Sequence, residues 1–303
     1  MNPTRPGSLG EMTTIVPGEP FIAFKDVRIG FGDNEVLRGI SFDVWPGETK
    51  VLLGESGSGK TLIMKLAAGL LQPDSGGVWV MGQDVGEMTE HELLDFRRHV
   101  GFVFQEGALF DSLTVADNVA FRLHEEKFAA AEIEQRVREA LRFVEMEPAI
   151  DKYPDELSGG MRRRVSIARA LVDKPPLIFY DSPTAGLDPV TSQTIINLIL
   201  RGRDLQGVTS LLATHRVQDA FGLANFRFDK SAGRVVRITA NGNGNAAPPA
   251  AAAPASGHDD AHDSDSATKV LVLRDGAIYF EGSTDGILHS SDDYLQKFLA
   301  SAE

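Results

Sequence analysis

The chain has 303 residues, 42% of them hydrophobic, no cysteine and a formal net charge of −13. This length and apolar content suit one large domain, or one domain with a subdomain, around a full hydrophobic core. The acidic balance argues against sequence-independent binding of nucleic acid, and the lack of cysteine excludes disulfides and thiolate metal sites, as in a reducing compartment.

The N-terminal residues and the apolar runs of the chain bear on the location of the protein. Residues 1–19 predict a flexible tail and not a signal peptide, because they hold Pro, Gly and Thr without an apolar core. No run approaches the roughly 20 apolar residues that span a membrane. We therefore expect any association with a membrane to go through a partner.

Strand and helix patterns alternate along most of the chain. Continuous apolar runs at residues 177–180 and 209–213 are typical of strands covered on both faces. The stretch from residue 89 to about 170 has a helical pattern, with a charged, amphipathic part at 125–144. The alternation predicts an α/β core with a parallel sheet. Further strands are predicted at 21–31, 40–44, 50–53 and 78–81, and a helix at 61–71.

One segment breaks this pattern. Residues 240–266 hold Asn, Gly, Ala and Pro followed by His, Asp and Ser, with almost no apolar side chain larger than alanine. Such a segment cannot offset its ordering entropy by burial, so we predict a disordered insertion at about 229–268. His258 and His262 lie near aspartates, but a solvated acidic linker explains them better than a metal site.

Residues 54–61 match the pattern G-x-x-x-x-G-K-[ST] between a predicted strand and a predicted helix. Glycines in such a loop let backbone N–H groups face phosphates, and the positive end of the helix adds to the attraction. The lysine reaches the β- and γ-phosphates, and the final hydroxyl helps to hold Mg²⁺. The motif predicts that ATP binds to Gly54, Glu55, Ser56, Gly57, Ser58, Gly59, Lys60 and Thr61.

Asp181 follows the apolar run at 177–180, which places its carboxylate at the carboxyl end of a strand beside the phosphate loop. There it can hold Mg²⁺ through water, as the second metal-binding part of a nucleotide-hydrolysing site. An isolated acid after apolar residues is unremarkable, but its position downstream of a phosphate loop favours the functional interpretation.

Residues 157–161, Leu-Ser-Gly-Gly-Met, complete the pattern. They resemble the LSGGQ signature of ATP-binding-cassette ATPases, with methionine in place of glutamine. The resemblance covers roughly residues 20–228 and 269–282. It implies an N-terminal antiparallel β subdomain, a helical subdomain at about 89–170 and a C-terminal helical tail at 283–303. It also implies a homodimer in which Ser158, Gly159 and Gly160 close over the ATP of the opposite subunit.

The same resemblance gives roles to four further residues. Gln105 resembles the glutamine that senses Mg²⁺ and links the core to the helical subdomain, and it adds to the Mg²⁺ set of Thr61 and Asp181. Asp188, in Gly-Leu-Asp at 186–188, resembles the loop that crosses the dimer interface. His215 resembles the switch histidine at the γ-phosphate. Phe31 stands where the family stacks an aromatic ring on adenine, although it could equally be a core residue of a strand.

The stretch at 105–115, the signature variant and the basic residues 162–164 are similar to the ATPases of Mla and Mce lipid-transport systems. That similarity implies an integral membrane permease as partner, a lipid-binding envelope protein, and a peripheral location at the cytoplasmic face of the inner membrane. A soluble cassette protein that acts on ribosomes or DNA is the rival class, but such proteins carry tandem cassettes or long coiled-coil arms.

One position departs from the family. Ser182 follows Asp181 where the family carries the glutamate that activates water. A serine hydroxyl is not a base near neutral pH, and losing a general base costs roughly 10²–10⁴ in rate. Three interpretations remain open: a slow ATPase in which His215 or Asp188 does more of the work, a nucleotide-gated switch or scaffold that hardly hydrolyses, and an introduced substitution that traps the nucleotide.

Overall fold

A computed structural model describes residues 18–238 and 267–300, and all structural statements concern these residues. The strands, in chain order, are β1 (Ile22–Phe31), β2 (Asn34–Val44), β3 (Thr49–Gly54), β4 (Ser75–Val80), β5 (Gln83–Asp84), β6 (Val100–Val103), β7 (Leu177–Asp181), β8 (Thr209–Thr214), β9 (Phe226–Asp229), β10 (Arg234–Arg237), β11 (Thr268–Arg274) and β12 (Ala277–Gly282). The helices are α1 (Lys60–Ala67), α2 (Glu90–Arg97), α3 (Val115–Glu125), α4 (Ala130–Phe143), α5 (Gly159–Leu171), α6 (Pro189–Gln206), α7 (Val217–Asn225), α8 (Thr284–Leu288) and α9 (Asp293–Ala300).

The centre of the fold is a six-stranded sheet in the order β12-β11-β3-β8-β7-β6. Its strands run parallel except β12, which is antiparallel to β11. Every residue of β3, β7 and β8 is buried. Both faces of these strands are covered, which is why residues 51–53, 177–180 and 211–213 within them are apolar runs without alternation.

A second sheet, in the order β2-β1-β4-β5, is antiparallel and covers one face of the central sheet. Its inward side chains, including Phe24 and Ile40, share a core with α1 and with alternate residues of the central strands such as Leu52 and Phe179. The other face of the central sheet packs against helices, through residues such as Val51 of β3 and Val270 of β11.

The helical region agrees only in part with the predicted subdomain at 89–170. β6 lies inside that range and joins the central sheet, and α2 buries Leu93 and Phe96 in the core of the antiparallel sheet. β6 has only four residues, which is too short for a strand pattern to stand out within a region of helical pattern. Helices α3, α4 and α5 pack together through buried side chains such as Val119, Leu141 and Val165, in the same core as one face of the central sheet.

The prediction of a disordered insertion at 229–268 was wrong at both edges of that range, where the chain forms strands. β9 and β10 form an antiparallel hairpin, and Val235 and Phe226 pack against the core. The Asp229 carboxylate accepts hydrogen bonds from the N–H groups of Ser231 and Ala232 and so builds the turn. β11 begins at Thr268. The segment predicted as disordered, residues 240–266, lies outside the described residues, as does nearly all of the predicted tail at 1–19.

Two short helices, α8 and α9, lie in the C-terminal segment for which a helical tail was expected. α8 begins with Ser283 as its cap, and α9 buries Leu295 and Phe298 in the main core. Among residues 18–238 and 267–300, no helix has the length and apolar character needed to cross a membrane.

Candidate nucleotide-binding site

The carboxyl ends of the parallel strands bring the candidate residues to one edge of the central sheet. In the register of the sheet, Leu53 of β3 pairs with Thr214 of β8, and Asp181 of β7 pairs with Ala213. The phosphate loop, Ser182 and His215 therefore all begin at the same level. Ligands of open α/β sheets bind at this edge.

Two glycines of the phosphate loop have backbone angles that other residues rarely adopt. Gly57 has φ 82° and Gly59 has φ 99°, both in the left-handed region that favours glycine. Gly59 is the N-cap of α1, and it supplies no side-chain hydrogen bond to the first turn. The N-cap of α1 therefore provides no side-chain acceptor for the first N–H groups of the helix, as is also the case for α4 and α7. This fits a phosphate at the start of α1.

Lys60 lies across the loop. Its Nζ donates to the carbonyl of Gly54 at 2.8 Å and to that of Glu55 at 2.7 Å. The side chain is 8% exposed. Burial lowers the pKa of Lys60, while the carboxylates of Asp181 and Glu55 oppose that shift. The site thus presents a partly desolvated cation where the charge of a phosphate would be held strongly.

Thr61 and Asp181 form the candidate magnesium site. The Thr61 hydroxyl donates to Oδ2 of Asp181 at 3.0 Å, so one hydroxyl and one carboxylate converge beside the loop. Among the described residues, no cluster of three or more His, Cys, Asp or Glu side chains could hold a metal ion alone. This donor set fits Mg²⁺, which is held by few protein oxygens together with water and substrate phosphates.

Ser182 lies where the sequence placed it, beside the phosphate loop. Its backbone N–H donates to the carbonyl of Ala213 at 2.8 Å, and its hydroxyl lies 3.4 Å from Oδ1 of Asp181. Its φ of 48° is in the left-handed region, where a residue with a Cβ is strained. The Ser182 hydroxyl faces the Asp181 carboxylate. Neither the hydroxyl nor the backbone N–H of Ser182 can act as a base near neutral pH.

A buried network that the motif analysis missed joins the segments after β7 and β8. The hydroxyls of Thr184 and Thr214 both donate to Oδ2 of Asp219, at 2.5 Å and 2.7 Å. Asp219 is on α7 and is 2% exposed. Burial raises the pKa of its carboxyl group, and the two hydroxyl hydrogen bonds act against that shift. The network ties the backbone next to Ser182 to the backbone next to His215.

Gln105 is exposed at the cleft, and the loop around it is held by α5. Nη1 of Arg163 donates to the carbonyl of Phe104 at 2.9 Å. Arg169 donates to the carbonyls of Gly107 and Ala108. In the sequence, the basic residues 162–164 carried only the similarity to the ATPases of Mla and Mce systems. Two further hydrogen bonds show them as structural: Arg162 donates to the Leu157 carbonyl and Arg164 to the Val144 carbonyl.

A cleft of about 1010 Å³ contains most of the predicted residues. Phe31 is 57% exposed at the end of β1, so it is not a core residue of that strand. It lines the cleft together with Val36. The cleft-lining residues that the sequence singled out are Phe31, Gly54, Glu55, Ser56, Gly57, Gly59, Lys60, Thr61, Gln105, Ser182 and His215.

Ser158, Gly159, Gly160 and Asp188 do not line this cleft. Ser158 caps α5 by accepting from the N–H of Met161, and a Cβ on Gly160 would collide with the Thr191 methyl group. Asp188 caps α6 and accepts hydrogen bonds from Val190 and Thr191, chiefly the Thr191 hydroxyl, which lowers the pKa of its carboxyl group. The signature and the Asp188 loop form a separate surface of the same chain.

Fold and cleft together define a P-loop nucleotide-binding domain. The family model described as ABC transporter matches residues 37–185. The chain therefore carries an ABC transporter ATPase domain, and such domains bind ATP with Mg²⁺. The fold is shared with a dimeric ATP-binding cassette in a post-hydrolysis state with ADP and Pi, at a TM-score of 0.66 and 25% identity, covering 86% of this chain and 98% of that one.

Curated relatives support the same assignment. The chain is 39% identical over 221 residues to the sulfate/thiosulfate import ATP-binding protein CysA of Caulobacter vibrioides, covering 72% of this chain and 64% of the relative. It is 41% identical over 187 residues to the chloroplastic protein trigalactosyldiacylglycerol 3 of Arabidopsis thaliana, covering 59% and 54%. It is 40% identical over 200 residues to the probable ribonucleotide transport ATP-binding protein mkl of Mycobacterium leprae, covering 66% and 58%. The chain thus spans less than two thirds of each relative.

Proposed function

We propose that this chain is the ATP-hydrolysing, energy-coupling subunit of a membrane ABC transporter. The observation that carries the proposal is the uncapped N-terminus of α1, with Lys60 across the loop and the Thr61–Asp181 pair beside it. These groups are suited to a nucleotide triphosphate and Mg²⁺. Phosphoryl transfer depends mainly on positioning and neutralisation of charge, which this arrangement supplies.

Each residue has a distinct task in this proposal. Lys60 and the N–H groups of α1 hold the phosphates, and Thr61 and Asp181 hold Mg²⁺, which neutralises phosphate charge when bound. His215 and Gln105 face the cleft from the carboxyl ends of β8 and β6 and approach the γ-phosphate and the attacking water. Phe31 stacks on the base through its exposed ring.

A homodimer completes the site. Gly159 is exposed, and only the Leu187 side chain lies within ordinary contact distance of a Cβ built on it. Ser158 and the first turn of α5 therefore offer free surface and a helix N-terminus to the phosphates bound by a second copy. In this arrangement Asp188 lies at the dimer interface, where it shapes the start of α6.

The permease contact is proposed for an aromatic surface next to Gln105. Phe104, Phe110 and Phe121 are each more than 40% exposed, and the rings of Phe110 and Phe121 are 4.6 Å apart. Exposed aromatic clusters mark binding surfaces. The loop behind this surface is held by Arg163 and Arg169, so movement there is coupled to α5 and the signature.

We further propose a lipid as cargo and a location at the cytoplasmic face of the inner membrane, with an envelope lipid-binding protein in the assembly. Support comes from the similarity to Mla and Mce ATPases at 105–115 and from the relative whose name contains a galactolipid. The names of other relatives contain sulfate, ribonucleotide, Fe³⁺ and methionine. The cargo is chosen by the other subunits.

A second function is favoured by one observation. Ser182 places a hydroxyl, and no base, next to Asp181, so a nucleotide-dependent switch with little hydrolysis is the alternative. MgATP hydrolysis by the purified chain, with Lys60→Ala as the control, distinguishes the two. Turnover that Lys60→Ala abolishes supports the ATPase. Tight MgATP binding without turnover supports the switch.

Capture of the tagged chain from a detergent extract tests the partner. The proposal expects co-purification of a protein with several membrane spans, lost when Phe110→Ser and Phe121→Ser are combined. A ribosome or DNA in place of a permease would contradict it.

A further inference from the structure

The C-terminal helix α9 is fixed to the body of the domain. Leu295 and Phe298 are buried in the main core. The Asp292 carboxylate accepts from the N–H groups of Tyr294 and Leu295 and from the Tyr279 hydroxyl, the last at 2.7 Å. These contacts set the position of the helix and of the side chains that it presents.

The register of the central sheet brings α9 to the phosphate loop. Leu273, near the end of β11, pairs with Gly54, the first residue of the loop. The next residue, Arg274, has its guanidinium 4.1 Å from the centre of the Tyr294 ring, a cation–π contact. Burial and, to a lesser extent, the Glu55 carboxylate raise the pKa of the Tyr294 hydroxyl, while Arg274 opposes them.

Three residues of α9, Tyr294, Lys297 and Phe298, line the same cleft as Lys60, Phe31 and His215. Lys297 is exposed on the cleft side of the helix. Within the described part of the chain Lys297 makes no salt bridge, whereas Lys60 is bonded to the carbonyls of its own loop. The helix thus adds a positive charge to a cleft whose ligand is an anion.

We propose that α9 is a wall of the nucleotide site and that Lys297 is a further binding residue, which attracts the phosphates of the nucleotide across the cleft from the phosphate loop. This inference rests on the proposed nucleotide-binding function. It assigns a role in binding to the C-terminal segment, which no motif singled out. An exposed cation acts mainly through its charge, so its contribution depends on salt.

Charge reversal tests the inference. Calorimetric titration with MgATP, at low and at high salt, compares the parent with Lys297→Glu. We expect the affinity of Lys297→Glu to be about fivefold weaker at low salt and close to that of the parent at high salt. Lys297→Met, which keeps an apolar stem of similar length, is expected to lie between the two.

Lys230→Glu is the matched control, because Lys230 is an exposed lysine in the turn between β9 and β10, outside the cleft. Its affinity for MgATP is expected to equal that of the parent. The inference is overturned if Lys297→Glu binds like the parent at low salt, or if its loss is equally large at high salt. A parent chain that binds no MgATP at all overturns the proposed function itself. Lys60→Ala gives the loss of affinity expected when the phosphate loop is impaired, for comparison with Lys297→Glu.

Discussion

Lys60 is the side chain on which nucleotide binding depends most. It is buried against the loop carbonyls, and no other lysine or arginine belongs to residues 54–61. Lys60→Ala removes a charge-assisted contact to phosphate, so we expect MgATP affinity to fall about tenfold or more. Titration calorimetry measures this. Lys230→Ala, at an exposed position outside the cleft, serves as the control, and equal affinities of Lys60→Ala and the parent would refute the assignment.

We expect Ser182 to limit the rate of the chemical step. Binding of MgATP and closure of two copies need no base, but activation of water does, so the parent should hydrolyse slowly. Ser182→Glu restores a carboxylate at this position, and we expect turnover to rise at least tenfold, within the roughly 10²–10⁴ range of general-base catalysis. Release of phosphate under saturating MgATP gives the rate.

Ser182→Gln is the matched control for this prediction, because it has the size of glutamate without its basicity. Its turnover should stay at the level of the parent. Brisk hydrolysis by the parent would mean that another residue acts as base. An unchanged rate in Ser182→Glu would mean that something other than the missing glutamate limits the site.

At the scale of elements, α7 couples two strands of the central sheet. Its Asp219 accepts from Thr184, which follows β7, and from Thr214, which ends β8. Asp219→Ala leaves two buried hydroxyls without their acceptor, so we expect a loss of about 2–3 kcal/mol in the free energy of unfolding. Asp219→Asn keeps an acceptor and should lose about 1 kcal/mol.

Urea denaturation measures both variants, with Asp111→Ala, at an exposed position, as control. If the network also positions His215, nucleotide turnover falls in Asp219→Ala even under conditions where the variant is fully folded. Unchanged stability of Asp219→Ala would show that water replaces the carboxylate and that the two strands are joined by other contacts.

Elements with a strong local signal were predictable from the sequence. Residues 177–180 formed β7, and the loop at 54–61 connects β3 to α1, because buried runs and glycine-rich turns carry their own pattern. Short β6 and the β9–β10 hairpin had no such pattern and were missed. The Asp219 network and the place of Lys297 on the cleft were also missed, because both depend on contacts between residues far apart in the chain.

For the whole molecule, the proposed dimer requires that each chain carry two halves of a site on separate surfaces. The phosphate loop lies in the cleft, while Ser158 and Gly159 lie outside it at the start of α5. A single copy therefore holds nucleotide on one side only. The central claim is that MgATP joins two copies through these surfaces, and Ser182 makes the closed pair long-lived by slowing hydrolysis.

Sedimentation velocity of the parent and of Gly159→Glu, with and without MgATP, tests this claim most directly. An acid in the first turn of α5 favours the helix but repels phosphate, so Gly159→Glu should fold and bind MgATP yet not pair. Gln135→Glu, which adds the same charge at an exposed position of α4, is the control. We predict that the parent and Gln135→Glu become dimers with MgATP and that Gly159→Glu stays a monomer. A parent that remains a monomer when saturated with MgATP, or a Gly159→Glu variant that dimerises as well as the parent, would contradict the account.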